Sequence, residues 1–187
     1  MDKSLKGLKV AILIADGFEQ SEMEDPRKAL NDDGAETMIV SPVQGKVKGW
    51  KSKSWGDEFP VDLKLEQAKP EDFDALLLPG GVMNPDKLRL EPKAVDFVKS
   101  FVKAKKPIAA ICHAPWILIN AEGVKGKNIT SYDSIKIDLI NAGAKWVDKE
   151  VVVDENIVTS RKPDDIPAFN KAMLTLFSQT KSQSSKQ

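Results

Sequence analysis

The chain has 187 residues, of which 41% are hydrophobic and 30% are charged, and this composition predicts a globular chain able to bury one core. The 28 Lys and Arg residues balance the 28 Asp and Glu residues, so net charge provides no attraction to nucleic acid or to an anionic membrane. One cysteine excludes an intramolecular disulfide framework. One cysteine with one histidine also excludes the usual zinc ligand sets, unless several carboxylates contribute.

The N-terminal segment MDKSLKGLKV lacks the apolar centre of a signal peptide. No apolar run approaches the roughly 20 residues that a membrane span needs. Together with the single cysteine, these features predict a cytoplasmic protein with no membrane partner.

Short apolar runs alternate with longer amphipathic segments along the chain. In chain order, the patterns predict a strand at 9–15, a helix at 21–33, a strand at 36–41, a hairpin excursion at 43–65, a strand at 74–78, a helix at 92–104, a strand at 107–111, helices at 115–121 and 134–142, strands at 147–153 and 156–160, and a helix at 166–179.

Continuous apolar strands that alternate with helices predict an α/β fold with a single doubly wound parallel sheet, a flavodoxin-like sandwich. No internal repeat or linker divides the chain, so we expect one domain over residues 1–180 and a polar tail over 181–187. Ligands of such folds bind at the carboxyl ends of the strands. The loops that follow the predicted strands, at 16–21, 79–85 and 112–116, are therefore the places to search for a site.

The single cysteine and the single histidine are neighbours, Cys112 and His113. Cys112 follows a buried strand and precedes a helix, which is the setting of a nucleophile elbow, and Ala110 and Ala114 are the small residues that such a turn needs. A helix N-terminus favours a thiolate. The alternative is a buried structural cysteine, but the pattern favours a reactive one.

Four segments of the sequence resemble the PfpI/ThiJ family, whose fold is that of the class I glutamine amidotransferases. They are the loop DGFEQSE, the strand end DALLLPGG, the run AAICHAPWIL and the stretch from 130 to 163. The Cys-His pair, with the segments INAGAKWVD and SRKP, is typical of the PfpI-like branch. The resemblance extends from residue 9 to about residue 177 and implies the same α/β fold.

The resemblance implies that Cys112 is the reactive cysteine and that Glu19 is the carboxyl group that lies against its sulfur. A carboxylic acid that shares a proton with a thiolate lowers the pKa of the thiol and raises its own. By its spacing alone, Glu19 is equally well explained as a residue of the first helical turn that complements the helix dipole.

In the PfpI-like branch, the histidine that corresponds to His113 acts together with an acidic residue from a neighbouring subunit. Asp86 is the nearest match for that acid, although the family residue is usually Glu and the loop here is about one residue longer. This arrangement implies a homo-oligomer, a dimer or a hexamer.

Gly80 and Gly81 directly follow a predicted strand. Glycines there let the backbone approach a ligand closely, and the N–H groups of Gly81 and His113 are natural oxyanion donors beside Cys112. The alternative is a tight turn with no further role.

Several functional classes are excluded. No histidine follows His113, so neither a catalytic glutamine amidotransferase nor a Ser-His-Asp hydrolase is possible. No nucleotide-binding motif is present.

The segment KVKGWKSKSW mixes Lys and Trp, a combination that can bind single-stranded nucleic acid. In a hairpin of a neutral protein, it favours a solvated surface or a subunit contact over nucleic acid. The acidic residues at 19–25 favour a helix start over a cation site, so we expect no metal. The thiolate chemistry that the resemblance implies needs no cofactor, so we expect none.

The leading hypothesis is a stress-protective enzyme that acts on methylglyoxal or glyoxal, or on their early adducts with amines and thiols. The resemblance implies this activity, a glyoxalase that needs no glutathione or a protein deglycase, with a thiolate attacking the aldehyde. The alternatives are an intracellular cysteine peptidase of the PfpI type and a non-catalytic redox-sensing stress protein or chaperone.

Overall fold

A computed structural model of the chain describes residues 4–184. The strands in these residues are β1 (Lys9–Leu13), β2 (Phe18–Glu19), β3 (Glu36–Ser41), β4 (Lys46–Lys51), β5 (Ser54–Pro60), β6 (Leu63–Lys64), β7 (Ala75–Leu78), β8 (Ile108–Ile111), β9 (Asn128–Ile129), β10 (Lys145–Trp146), β11 (Val152–Asp154) and β12 (Ile157–Ser160). The α-helices are α1 (Gln20–Asp32), α2 (Met83–Arg89), α3 (Pro92–Lys103), α4 (Pro115–Asn120), α5 (Lys136–Asn141) and α6 (Ile166–Ser184).

The central sheet has seven strands in the order β11-β12-β8-β7-β1-β3-β6. Its neighbouring strands run parallel, except that β11 pairs antiparallel with β12 at one edge. The chain leaves β1 toward β3 on one side and returns to β7 on the other, so the strand order reverses between β1 and β7. Ligand sites lie at such a reversal in doubly wound folds.

Both faces of the sheet are buried because each central strand is apolar on both sides. Strands β7 and β8 are buried along their whole length. Alternate strand residues point to opposite faces, so Ala11 and Leu13 pack with helices α3, α4 and α5, whereas Val10 and Ile12 pack with α1 and α6. This arrangement confirms the predicted doubly wound α/β fold.

The predicted hairpin excursion is confirmed as strands β4 and β5, which pair antiparallel. The hairpin is attached to the main body through β2, which runs parallel to β4 and places Glu19 opposite Trp50. The three strands form a small separate sheet. This small sheet forms one side of the site described below.

Three local predictions differ from the structure. The loop predicted at 79–85 runs into helix α2. The strand predicted at 147–153 is present only from Val152, and the segment before it contains Asp148, which forms an ion pair with Arg161. Helix α6 continues to Ser184, so residues 181–184 of the predicted tail are helical, and residues 185–187 lie outside the described residues.

Within residues 4–184, no helix combines the length and the apolar character that a membrane crossing requires.

Candidate active site

The carboxyl ends of β1, β7 and β8 bring the three loops singled out in the sequence to one place. Gly17 follows β1, Gly81 follows β7 and Cys112 follows β8. The three strands are neighbours in the sheet. Parallel strands end at the same edge, so side chains far apart in sequence meet there.

Cys112 occupies the predicted nucleophile elbow. Its φ of 65° lies in the left-handed region, which costs a non-glycine residue about 1–3 kcal/mol. The turn is tight, since the N–H of Ala114 donates to the carbonyl of Ile111 at 3.1 Å. The N–H of Cys112 donates to the carbonyl of Ser160 at 3.0 Å, which ties the elbow to β12. The residue is 6% exposed, and it lines the cavity described below.

Helix α1 places the carboxyl group of Glu22 against Cys112. Glu22 is fully buried, and its polar neighbours are the Cys112 thiol and the N–H groups of Gly80 and Gly81. Neither carboxyl oxygen meets strict hydrogen-bond geometry with any described residue. Burial, and secondarily the negative charge of Glu19, raises the pKa of Glu22 to about 8.

The structure thereby corrects the placement expected for Glu19. Glu22, and not Glu19, is the carboxyl group beside the sulfur. Glu19 lies on β2, just before α1, where its Oε1 accepts the N–H of Ser52 in the hairpin at 3.2 Å. Burial raises the pKa of Glu19, although the hydrogen bond from Ser52 opposes the shift.

The helical register explains why Glu22 faces inward. Pro26 and Leu30 follow Glu22 at intervals of four residues, and all three are buried on one side of α1. A carboxylate on the apolar side of an amphipathic helix is the signal that would have identified it. Glu22 does lie in the first turn of α1, where the acidic residues at 19–25 were expected to form a helix start, but its carboxyl group is buried.

The protonation of Cys112 also differs from the prediction. Burial, and secondarily the negative charge of Glu22, raises the pKa of the Cys112 thiol well above its ordinary value. The N–H groups of Gly81 and His113 oppose this shift. The resting site therefore holds a thiol, and the helix N-terminus does not outweigh burial. When Glu22 carries a proton, its charge no longer opposes the thiolate.

His113 lies beside the sulfur, with its Nδ1 3.2 Å from Cys112 Sγ. Its Nε2 lies 3.1 Å from the hydroxyl of Ser134. The ring stacks on Tyr132 with centroids 4.6 Å apart. Burial lowers the pKa of His113 to about 4, so the imidazole is neutral at physiological pH. Ser134 was not predicted, because it follows the elbow by more than twenty residues and nothing in the stretch from 130 to 163 assigned its side chain to the site.

Asp86 does not contact His113 within the chain. It is exposed on α2, and the hydrogen-bond partners of the imidazole among the described residues are Cys112 and Ser134. An approach of Asp86 to a neighbouring subunit's site stays a prediction.

Two glycines let the backbone approach the nucleophile. A Cβ at Gly80 would lie 2.6 Å from Cys112 Cβ and 2.5 Å from Glu22 Oε1. Gly81 has a φ of 81°, and a Cβ there would meet the carbonyl oxygen of Gly17 at 2.5 Å. The N–H groups of Gly81 and His113 both point toward the sulfur. These two donors stabilise negative charge on the sulfur, and they lie beside the place where an oxyanion would form on a carbonyl attacked by Cys112.

Asn84 is a site residue that the sequence analysis missed. It is fully buried on α2, and its Oδ1 accepts the N–H of Ala15 at 2.7 Å. Its Nδ2 donates to the carbonyl groups of Pro79 and Gly80 at 2.9 and 3.2 Å. Asn84 therefore fixes the double-glycine turn relative to the end of β1. Nothing in its sequence setting distinguished it from a loop asparagine.

A cavity of about 390 Å³ opens beside Cys112. Its lining residues are Gly17, Glu19, Glu22, Trp50, Ser52, Gly81, Val82, Met83, Cys112, His113, Tyr132 and Pro163. The cavity is large enough for a small carbonyl compound and its water of hydrolysis. Among residues 4–184, no group of three or more His, Cys, Asp and Glu side chains is arranged to hold a metal ion.

The family model described as "DJ-1/PfpI family" matches residues 8–176. The chain is 47% identical over 172 residues to "General stress protein 18" of Bacillus subtilis, covering 91% of this chain and 98% of that protein. It is 46% identical to "Putative cysteine protease YraA" of the same organism, covering 90% and 97%. It is 44% identical to "Protein/nucleic acid deglycase 2" of Escherichia coli, covering 90% and 96%.

A solved structure with a similar fold is that of a two-domain protein from Anabaena variabilis, with DJ-1/ThiJ/PfpI-like and ferritin-like domains. The TM-score is 0.84 at 37% identity, and the match covers 90% of this chain. The chain spans about half, 47%, of that two-domain protein.

Proposed function

The chain belongs to the DJ-1/PfpI family, and we propose that it is a cysteine-dependent enzyme that converts methylglyoxal to lactate and glyoxal to glycolate, without glutathione. One observation carries this proposal. The Cys112 thiol, a carboxyl group with a pKa near 8 and two backbone N–H donors meet at the wall of a small cavity. A relative named as a deglycase supports the same chemistry.

The first step forms a bond between Cys112 Sγ and the aldehyde carbon. The thiol proton passes to the Glu22 carboxylate. The pKa of Glu22, about 8, is close to physiological pH, and a general base is most effective when its pKa is near the pH of the reaction. The aldehyde oxygen takes the negative charge and accepts the N–H groups of Gly81 and His113. Proton return from Glu22 gives a neutral hemithioacetal.

The second step moves a proton between two carbons. Glu22 removes the hydrogen of the former aldehyde carbon, giving an enediol, and a proton is returned to the neighbouring carbon. The result is a thioester of Cys112 with the 2-hydroxy acid. Water hydrolyses the thioester, which releases lactate and restores the thiol. The sum is methylglyoxal plus water to lactic acid, so no external oxidant or reductant is consumed.

Deglycation follows from the same activity. Early adducts of 2-oxoaldehydes with amines and thiols dissociate reversibly, so removal of the free aldehyde drains them by mass action. We therefore propose the free aldehyde as the species that Cys112 attacks.

A cysteine peptidase is the second candidate, because Cys112 Sγ lies 3.2 Å from His113 Nδ1 and a relative carries a protease name. Peptide cleavage needs a histidine that accepts the thiol proton and passes it to the leaving amine. A pKa of about 4 and a neutral partner, Ser134, make His113 a weak base. These features favour the aldehyde reaction.

The redox-sensor hypothesis needs a thiolate that oxidants reach readily. Cys112 is nearly buried and the pKa of its thiol is raised. These two features support the redox-sensor hypothesis less than they support the enzymatic proposal.

The test is lactate formation from methylglyoxal in glutathione-free buffer, with the purified protein and its Cys112→Ala variant. We expect lactate from the first and none above background from the second. Cysteine-independent turnover, or no turnover by a folded wild-type protein, would contradict the proposal. In the second case, cleavage of a fluorogenic peptide by wild type and by Asp86→Ala tests the intersubunit peptidase arrangement.

A further inference from the structure

We propose that the cavity selects its substrates by charge, accepting uncharged and cationic carbonyl compounds and excluding anionic ones, with Glu19 as the selecting side chain. This selection rests on the proposed function for the identity of the substrates. Its physical basis is the charge of the cavity walls, which can be measured without any turnover.

The ionisable carboxyl groups in the described lining are those of Glu19 and Glu22, and no Lys or Arg is among the described lining residues. His113 supplies no compensating charge at neutral pH, because burial lowers its pKa to about 4. A carboxylate or phosphate that entered this space would lose water without gaining a cationic partner. Desolvating an unpaired anion beside a like charge is strongly unfavourable.

Basic residues that flank the lining in sequence do not offset this charge. Lys51 Nζ lies 3.2 Å from a carboxylate oxygen of Asp57. Lys162 Nζ lies 3.9 Å from a carboxylate oxygen of Asp164. Lys53 is exposed in the β4–β5 turn, where water screens it. The cavity itself therefore keeps its acidic character.

Glu19 is held in place rather than free to swing into solvent. Its backbone N–H donates to the carbonyl of Gly80 at 3.2 Å, and its Oε1 accepts the N–H of Ser52 at 3.2 Å. Its charge acts on the reacting centre, since it contributes to the raised pKa of Glu22. An anion bound beside Cys112 would be repelled by the same negative charge of Glu19.

The rest of the cavity lining suits an uncharged or cationic molecule. It includes the aromatic residues Trp50 and Tyr132 and the apolar residues Val82 and Met83. Aromatic faces attract alkylammonium groups and repel anions. Together with Glu19, this lining has the composition that accommodates the amine end of a carbonyl–amine adduct.

The test uses the single cysteine and two alkylating agents of nearly the same shape, neutral iodoacetamide and anionic iodoacetate. The ratio of their second-order rate constants at Cys112 cancels the thiolate fraction, because both react with the same thiolate. The reference is the same ratio for the chain unfolded in urea. We expect the folded wild type to prefer iodoacetamide at least about tenfold more strongly than the unfolded chain does.

Glu19→Gln removes the charge and keeps an oxygen that can accept the N–H of Ser52. We expect it to reduce the preference for iodoacetamide at least threefold, and Glu19→Lys to reduce it further. Glu58→Gln is the matched control, since it removes an equal charge from β5 outside the cavity lining and should leave the ratio unchanged. Equal preference in the folded and unfolded chains, or a ratio that Glu19→Gln leaves unchanged, would overturn the proposal.

The same charge comparison applies to turnover, with phenylglyoxal and 4-carboxyphenylglyoxal as the substrates. We expect wild-type kcat/KM to favour phenylglyoxal at least about tenfold and Glu19→Gln to narrow that difference. If neither these compounds nor methylglyoxal is converted while the alkylation ratios follow Glu19, the proposed function fails and charge selection stands. If both are converted equally well, charge selection fails and the proposed function stands.

Discussion

Glu22 and Cys112 lie against each other at the carboxyl edge of the sheet, and burial raises the pKa of both groups. The pair loses its first proton at Glu22, near pH 8. A carboxylate beside a thiol and a carboxylic acid beside a thiolate contain the same number of protons, so they are two forms of one ionisation state. We propose that this singly protonated state attacks the aldehyde.

The first prediction concerns the pH dependence of kcat/KM for methylglyoxal. Because the attacking state has lost one proton from the pair, kcat/KM should rise as the pH rises through about 8. Glu19→Gln should move this rise to lower pH, because the charge of Glu19 raises the pKa of Glu22. Glu22→Gln should remove the rise near pH 8 and leave one at higher pH, where the thiol itself ionises. A profile that is flat between pH 6 and 9 in wild type contradicts this assignment.

The second prediction concerns stability. Glu22 has an ordinary pKa of 4.5 and a pKa of about 8 when folded, so the folded protein binds more protons between these values. The free energy of unfolding should therefore fall as the pH rises from about 4.5 to 8. Glu22→Gln should remove this loss and stabilise the protein by roughly 2–4 kcal/mol at pH 8, with little effect at pH 4.

Urea unfolding of wild type and Glu22→Gln at the two pH values measures this difference. Glu19→Gln is the control, because Glu19 is only partly buried and should give a much smaller gain. Destabilisation by Glu22→Gln at pH 8 would show that the buried carboxylate is better compensated than its surroundings indicate.

The third prediction concerns the tautomer of His113. Cys112 Sγ lies 3.2 Å from Nδ1 and Ser134 Oγ lies 3.1 Å from Nε2. We expect the resting thiol to donate to Nδ1, which leaves the imidazole hydrogen on Nε2, facing Ser134 Oγ. Because the chain has one histidine, a single pair of imidazole ¹⁵N signals reports this state directly. We expect a neutral ring with hydrogen on Nε2 at pH 7. A charged ring, or hydrogen on Nδ1, contradicts it.

Ser134→Ala should weaken the preference for that tautomer. It should also lower kcat, by roughly tenfold, because the imidazole that contacts Cys112 Sγ, and with it the sulfur, is no longer held in place. Ser134→Thr keeps a hydroxyl group and should restore both the ¹⁵N signals and most of the activity. If Ser134→Ala lowers activity but leaves the tautomer of His113 unchanged, Ser134 does not act by orienting the imidazole.

The fourth prediction separates backbone strain from site geometry at Gly81. Gly81→Ala should lower kcat at least about tenfold, because the added Cβ meets the Gly17 carbonyl and displaces an N–H that points at the sulfur. Gly126→Ala is the matched control, with a φ of 75° but no atom within 4 Å of the added Cβ. Both variants acquire left-handed strain of about 1 kcal/mol. Similar activity losses in the two would assign the effect to strain alone.

The features that the sequence predicted are those set by local pattern. Continuous apolar runs identified the central strands, and Cys112 between small residues after a buried strand identified the elbow. To identify Glu22, one needs to know which face of α1 packs on the sheet. The sequence did not give this register, and the carboxyl group was assigned to Glu19, three residues earlier. Asn84 and Ser134 lie in segments that the sequence pointed to, at 79–85 and 130–163, but their contacts at the site arise from tertiary packing that no local pattern gives.

The prediction of a thiolate at Cys112 failed for a different reason. A helix N-terminus and two N–H donors favour the anion, and both are present in the fold. The cost of burying a charge depends on how deeply the sulfur lies, and sequence pattern does not give that depth.

The most direct test of the account compares kcat/KM for lactate formation from methylglyoxal by Glu22→Gln and Glu19→Gln, with wild type and Cys112→Ala as references. We predict that Glu22→Gln lowers kcat/KM about 100-fold or more, the usual contribution of a general acid–base group. The factor by which Glu19→Gln lowers kcat/KM should be at least ten times smaller. A larger loss in Glu19→Gln than in Glu22→Gln would contradict the central claim that Glu22 carries the proton for Cys112.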